Sequence, residues 1–253
     1  MFIRFELLSL ILALTLGGQV HTGKIIGGQV AQSRPYMVLL EFHQAGKITH
    51  CGGFLLNVDF VMTAAHCQAY SYEVLLGVNN FWNTTEQQSL SVEKSYPHED
   101  YKAGVLGNDI MLLKLSSQPI LSKSVKPIAI ACQGDEFLPK SCSTSGWGRT
   151  DENEIFMSRV LMEANVTLIN NKQCNEDKLY CSNGEPRPAQ GDSGGPLVCE
   201  GEKAYGVVSA GFQYTTDSRY CTVILRLPST ATGSIRLWEA LIPATTDRLN
   251  LDV

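Results

Sequence analysis

From Ile25 onward, apolar residues either alternate with polar ones or gather into short runs bounded by Gly, Pro, Asn or Asp. Alternation with a period of two is what a half-buried strand requires, because successive side chains point to opposite faces. Tyr36 to Phe42, Cys51 to Leu56, Tyr72 to Val78, Asp109 to Leu115, Val160 to Leu168, Ala204 to Ser209 and Tyr220 to Leu227 predict strands on this basis. Strands this short and this frequent predict an all-β barrel or sandwich. One helix is predicted near the end, where Ile235, Trp238, Leu241 and Ile242 recur at helical spacing and form one apolar face. The Pro-containing stretch from Ser116 to Pro127 is the predicted crossing between two halves.

The pattern before Ile25 is different. Arg4 precedes an apolar run from Leu7 to Leu16 and then small residues, so residues 1–22 predict a secretory signal. The run is too short to span a bilayer, and no later stretch is long and apolar enough to do so. The expected product is a soluble protein outside the cytosol or inside a secretory granule, with no membrane anchor. The chain has 253 residues, 44% of them apolar, enough to bury a large core in one domain or two small ones.

In this compartment the eight cysteines point to disulfides, and no pair has the close spacing that structural zinc prefers, although their pairing stays open. The sequons at Asn83 and Asn165 fit the same route as glycosylation sites. A net charge of −5 without any basic run interleaved with aromatics argues against nucleic acid or polyanionic glycans as partners.

Candidate chemistry lies in three segments: Val61-Met62-Thr63-Ala64-Ala65-His66-Cys67, Gly107-Asn108-Asp109-Ile110, and Gly191-Asp192-Ser193-Gly194-Gly195-Pro196. Each alone has an ordinary explanation: a core histidine, a turn aspartate, a tight glycine turn. Together they supply what nucleophilic acyl transfer needs. A serine hydroxyl is a weak nucleophile until an imidazole accepts its proton, and a carboxylate must hold that imidazole in one tautomer. Glycines beside the serine let backbone N–H groups reach a developing oxyanion, here from Gly191 and Ser193.

These segments, in the order His, Asp, Ser, together with Ile25-Ile26-Gly27-Gly28 and Gly146-Trp147-Gly148, resemble the trypsin and chymotrypsin family from Ile25 to about Thr222. The resemblance implies two six-stranded antiparallel β-barrels with a C-terminal helix, and a catalytic triad of His66, Asp109 and Ser193 in the cleft between the barrels. It also implies the disulfides Cys51–Cys67, Cys142–Cys199 and Cys174–Cys181, leaving Cys132 and Cys221 without a family partner. Cutting the Lys24–Ile25 bond would free an Ile25 ammonium to pair with Asp192, so residues 25–253 form the expected protease domain. With the signal cut after Thr22, the propeptide is Gly23-Lys24, which resembles the granzyme, mast-cell-protease and duodenase branch.

Family likeness further implies that Ser209, Ala210 and Gly211 pair with substrate backbone, and that Arg187 and Arg219 lie at the primary pocket. Arg187 stands six residues before Ser193, where trypsin-like members carry an Asp, so tryptic cleavage is disfavoured. Cleavage after Asp or Glu is the expectation, through a charge-assisted contact to guanidinium. Expected partners are protein or peptide substrates, an activating protease and serpin-type inhibitors; no metal or organic cofactor is expected. The alternative is a silent homologue acting as a binding module, which sixteen residues between Cys221 and Trp238, more than the family's closing strand and helix usually require, keep open.

Overall fold

The computed structural model describes residues 25–44, 46–83, 85–105, 107–131, 138–139, 141–149, 151, 153, 156–176, 179–213 and 220–227. After a two-residue strand, β1 (Gln29–Val30), six antiparallel strands follow: β2 (Met37–Gln44), β3 (Lys47–Leu55), β4 (Phe60–Thr63), β5 (Glu73–Leu76), β6 (Gln88–Pro97) and β7 (Met111–Leu115). They close into a barrel in the order β2-β3-β4-β7-β6-β5. Val38, Leu40, Phe54, Leu55, Val61, Leu112 and Leu113 are fully buried. β4 is buried along its whole length, hence the apolar run Phe60-Val61-Met62 rather than alternation, with the Thr63 hydroxyl donating to the Gly52 carbonyl at 2.8 Å.

The second half contains β8 (Cys142–Gly146), β9 (Met162–Val166), β10 (Leu168–Ile169), a short helix α1 (Lys172–Glu176), β11 (Leu179–Asn183), β12 (Pro196–Cys199), β13 (Lys203–Gln213) and β14 (Tyr220–Arg226). Its sheet runs β1-β9-β8-β12-β13-β14-β11-β10. β9 and β10 stand close to being a single strand, interrupted only at Thr167. One part pairs with β8 and the other with β11, so the sheet closes through chain continuity. With β9 and β10 counted as one bent strand and β1 as an addition, the second unit matches the expected six-stranded barrel. The predicted C-terminal helix lies outside the described residues.

The stretch from Ser116 to Pro127 stays on the first barrel, and the crossing comes just after it, at Ala129–Ala131. Lys126 and Ile128 donate to the carbonyls of Pro35 and Leu55 at 3.0 and 2.9 Å, and Ala131 then donates to Ala204 of β13 at 2.9 Å. Further backbone bonds join the halves, among them Phe81 N–H to the Arg159 carbonyl (3.0 Å) and Leu161 N–H to that of Asn79 (2.8 Å). The disulfides form as expected: Cys51–Cys67 ties β3 to the turn carrying His66, Cys142–Cys199 ties β8 to β12, and Cys174–Cys181 ties α1 to β11. Cys132 lies outside the described residues, and Cys221 stands on β14 with its backbone opposite Asn183 and Phe212. Among the described residues no helix is long and apolar enough to cross a membrane.

Leu112 on β7 stands opposite Met62 and is fully buried. Leu112→Ala should therefore cost about 2–5 kcal/mol, read as a lower urea midpoint at unchanged slope.

Candidate active site

Asp109 sits just before β7, after Asn108 in the left-handed region (φ 59°), and its side chain is only 5% exposed. Its Oδ1 accepts the backbone N–H of His66 at 2.8 Å, and Oδ2 meets His66 Nδ1 at 2.7 Å. An ionised carboxylate can only accept, so Nδ1 carries a proton, and in the neutral ring Nε2 is the nitrogen that keeps its lone pair. His66 projects from the short 3-10 turn Ala65–Cys67 after β4, with 37% of its side chain exposed. Oδ2 of Asp109 accepts a further bond from Ser209 Oγ at 2.5 Å, from the second barrel. Burial pushes the Asp109 pKa up, but the hydrogen bonds and charge of His66 and the Ser209 hydroxyl outweigh it and hold the carboxyl below its ordinary value.

Ser209 reaches Asp109 because of a bulge. β13 pairs Val208 with Ile224 and then Ala210 with Val223, so Ser209 is the extra residue and its side chain is re-aimed. Pairing of β13 with β12 ends at Val207 opposite Pro196. Beyond Val208, which exchanges backbone bonds with Gly194 and Gly195, the segment through Ala210 and Gly211 has β14 on one side and an unpaired edge on the other among the described residues.

Ser193 occupies a glycine turn wedged between the barrels. The Gly52 N–H donates to the Ser193 carbonyl at 2.7 Å, and the Gly194 N–H to that of Val208 at 2.7 Å. A side chain on Gly194 (φ 84°) would place Cβ 2.3 Å from the Gly52 carbonyl oxygen and equally against Thr63 Oγ1, so the turn requires glycine there. This fixes Ser193 against the strand that leads into His66, although no hydrogen bond joins the Ser193 hydroxyl to His66. Among the described residues the N–H groups of Gly191 and Ser193 have no acceptor.

Asp192, next to Ser193, is fully buried. Its oxygens accept from the N–H groups of Gly148 and Ala189, each at 2.8 Å. Gly146 and Gly148 lie so close that a Cβ would stand 2.1 and 2.4 Å from its carboxylate oxygens. Among the described residues no cation lies within ion-pair distance of it. Burial raises its pKa to about 6, against the lowering effect of those two bonds. Ile25 is fully buried in a cluster with Met162, Ala164 and Val160, and Lys24 lies outside the described residues.

The two arginines expected at the primary pocket fare differently. Arg187 is buried, 7% exposed, and its N–H donates to the Ile26 carbonyl at 3.0 Å. Arg219 lies outside the described residues. Asn83 and Asn165 are both exposed. Ligand atoms of Cys51, His66 and Cys67 also converge, but both sulfurs are spent in a disulfide and leave no thiolate for a metal.

Known proteins are similar to this chain over most of its length. The Trypsin family model matches residues 25–232. Duodenase-1 of Bos taurus is 41% identical over 219 residues, covering 81% of this chain and 86% of its own. Granzyme B(G,H) of Mus musculus is 35% identical over 235 residues, covering 87% and 94%. A solved structure described as "Structure of GrC" superposes with a TM-score of 0.70 at 34% identity, over 79% of this chain and 94% of that one. The chain belongs to the trypsin family, as a chymotrypsin-like serine endopeptidase acting on protein substrates. Within that class it falls in the granzyme and duodenase branch.

The two buried carboxylates should titrate in opposite senses. The folded pKa of Asp109 is depressed, so its contribution to stability is present above the ordinary carboxylate range and lost as pH falls below it. Ser209→Ala removes a donor to the charged form and should bring that loss to higher pH, measured as urea midpoints across the acid range. Asp192 in the uncut chain has a raised pKa, so its contribution is fully present below 3.8 and lost as pH rises through about 6. That loss amounts to about 3 kcal/mol, and Asp192→Asn should remove this part of the pH dependence.

Proposed function

We propose that this enzyme is made as a secreted or granule-stored precursor, is cut after Lys24 by an activating protease, and hydrolyses peptide bonds through an acyl-enzyme on Ser193. The observation that carries this reading is the Asp109 carboxylate gripping the His66 ring from one side, which leaves Nε2 basic toward the cleft. Ser193 Oγ attacks the scissile carbonyl carbon and passes its proton to Nε2. The carbonyl oxygen, now an anion, accepts from the N–H groups of Gly191 and Ser193. His66 then returns the proton to the departing amine, and water, activated by the same ring, releases the acid. Stabilising the oxyanion contributes about 2.7–4 kcal/mol per donor to the transition state.

Activation follows from chemistry at the other carboxylate. Cutting after Lys24 supplies an ammonium at Ile25 that can neutralise Asp192, whose burial otherwise penalises its charge, and so hold the Gly191–Ser193 turn in shape. Substrate backbone adds to the free edge of β13 at Ala210 and Gly211. Ala210, standing where relatives usually carry an aromatic, widens the neighbouring subsite. The proposed pocket residue Arg219 favours an acidic residue before the scissile bond, and Arg187, where trypsin-like members carry an Asp, disfavours Lys or Arg there. Serpin-type inhibitors fit the same cleft chemistry.

Secreted chain is cleaved after Lys24, labelled with a serine-reactive phosphonate probe, and profiled on a peptide library. Labelling at Ser193, its absence in Lys24→Gln, and cleavage after Asp or Glu are expected. Ser193→Ala should lower kcat by on the order of 10⁶-fold. Full labelling of uncut protein would contradict the activation step, and a dominant preference for Phe or Leu would remove the acidic specificity.

A further inference from the structure

The loop that joins β5 to β6 carries a built aromatic platform that the proposed catalysis does not use. Asn80 Oδ1 accepts the Trp82 N–H at 2.9 Å, and the Asn80 carbonyl accepts the Asn83 N–H at 2.9 Å, which fixes a tight turn. The loop is clamped to the second barrel by the bridge between Asn80 and Val160 and the bond from Phe81 N–H to the Arg159 carbonyl. The clamp brings the Arg159 guanidinium to 4.7 Å from the centre of the Trp82 ring. One face of the indole is thus backed by a cation, which orients it, while the side chain stays 74% exposed. An oriented, open indole face of this kind binds the apolar C–H face of a sugar ring.

The next residue is Asn83, in a sequon. Its Oδ1 accepts from Thr85 Oγ1 at 2.8 Å and from the Thr85 N–H at 3.3 Å, so the amide oxygen is held and, among the described residues, the Nδ2 hydrogens have no acceptor. We propose that Asn83 carries an N-linked glycan whose first sugar packs on the open face of Trp82, so that the platform is covered by the protein's own modification. In the step that installs it, Asn83 Nδ2 attacks C1 of an oligosaccharide carried on a lipid diphosphate. The N–C1 bond forms, the C1–O bond to the diphosphate breaks, and the amide proton leaves with the diphosphate. Asn165 differs: it lies within β9, with its backbone in the ladder opposite Ser143. The inference rests on the secretory route proposed above.

The test uses the full chain expressed in mammalian cells, with its appearance in the medium, glycopeptide mass spectrometry at Asn83, and acrylamide quenching of tryptophan fluorescence. Three forms are compared: intact, trimmed to the first sugar by an endoglycosidase, and fully stripped by a peptide N-glycosidase, with unglycosylated Asn83→Asp controlling for the charge that stripping leaves. We expect occupancy at Asn83 and a quenching constant that stays low after trimming and rises on full stripping, with that rise lost in Trp82→Phe. Secreted chain without a sugar on Asn83, or quenching that does not change on full stripping, overturns the inference and leaves the secretory reading standing. Chain retained in the cell and unmodified overturns both.

Discussion

The Asp109 carboxylate is the point at which the two halves of this molecule are held to one geometry. It accepts the backbone and ring N–H groups of His66 from its own barrel and the Ser209 hydroxyl from the other. A buried carboxylate needs donors to offset its desolvation, and the donors available here come from both halves of the molecule. Satisfying that one charge therefore fixes the ring tautomer and the register of the facing strand together. The Ser193 turn is fixed separately, through Gly52, Thr63 and Val208, which meet it from both barrels.

The second buried carboxylate gives the molecule its contrast. Asp192 is satisfied by two backbone N–H groups, yet no described cation neutralises it. Glycines at 146 and 148 are dictated by its position, since any side chain there would overlap the carboxylate. One acid is stabilised in its charged form and the other resists ionisation. Such divergence is how one fold keeps separate tasks for chemically similar groups.

Much of this was legible in the sequence, for identifiable reasons. β2, β5 and β7 read as strands because their residues are apolar and short-range. β8, with the sequence Cys-Ser-Thr-Ser-Gly, carries little apolar signal and is defined by its neighbours β9 and β12. β6 exposes or half-exposes every residue, and β12 is only four residues long, so neither announces itself. His66, Asp109 and Ser193 were visible from local segments in family order. The part played by Ser209 was not: it lies 100 residues from Asp109, was read as a substrate-pairing position, and depends on a bulge that no local pattern encodes. The burial of Arg187 was equally hidden, because arginines on short loops ordinarily face water.

Proton NMR of the protease cleaved after Lys24 tests the central claim most directly. If the Asp109 carboxylate grips the His66 ring, Nδ1–H should give a far-downfield resonance that is present in the wild type, shifts in Ser209→Ala and is lost in Asp109→Asn. A downfield resonance that survives unchanged in Asp109→Asn, or none in the wild type, would contradict the account.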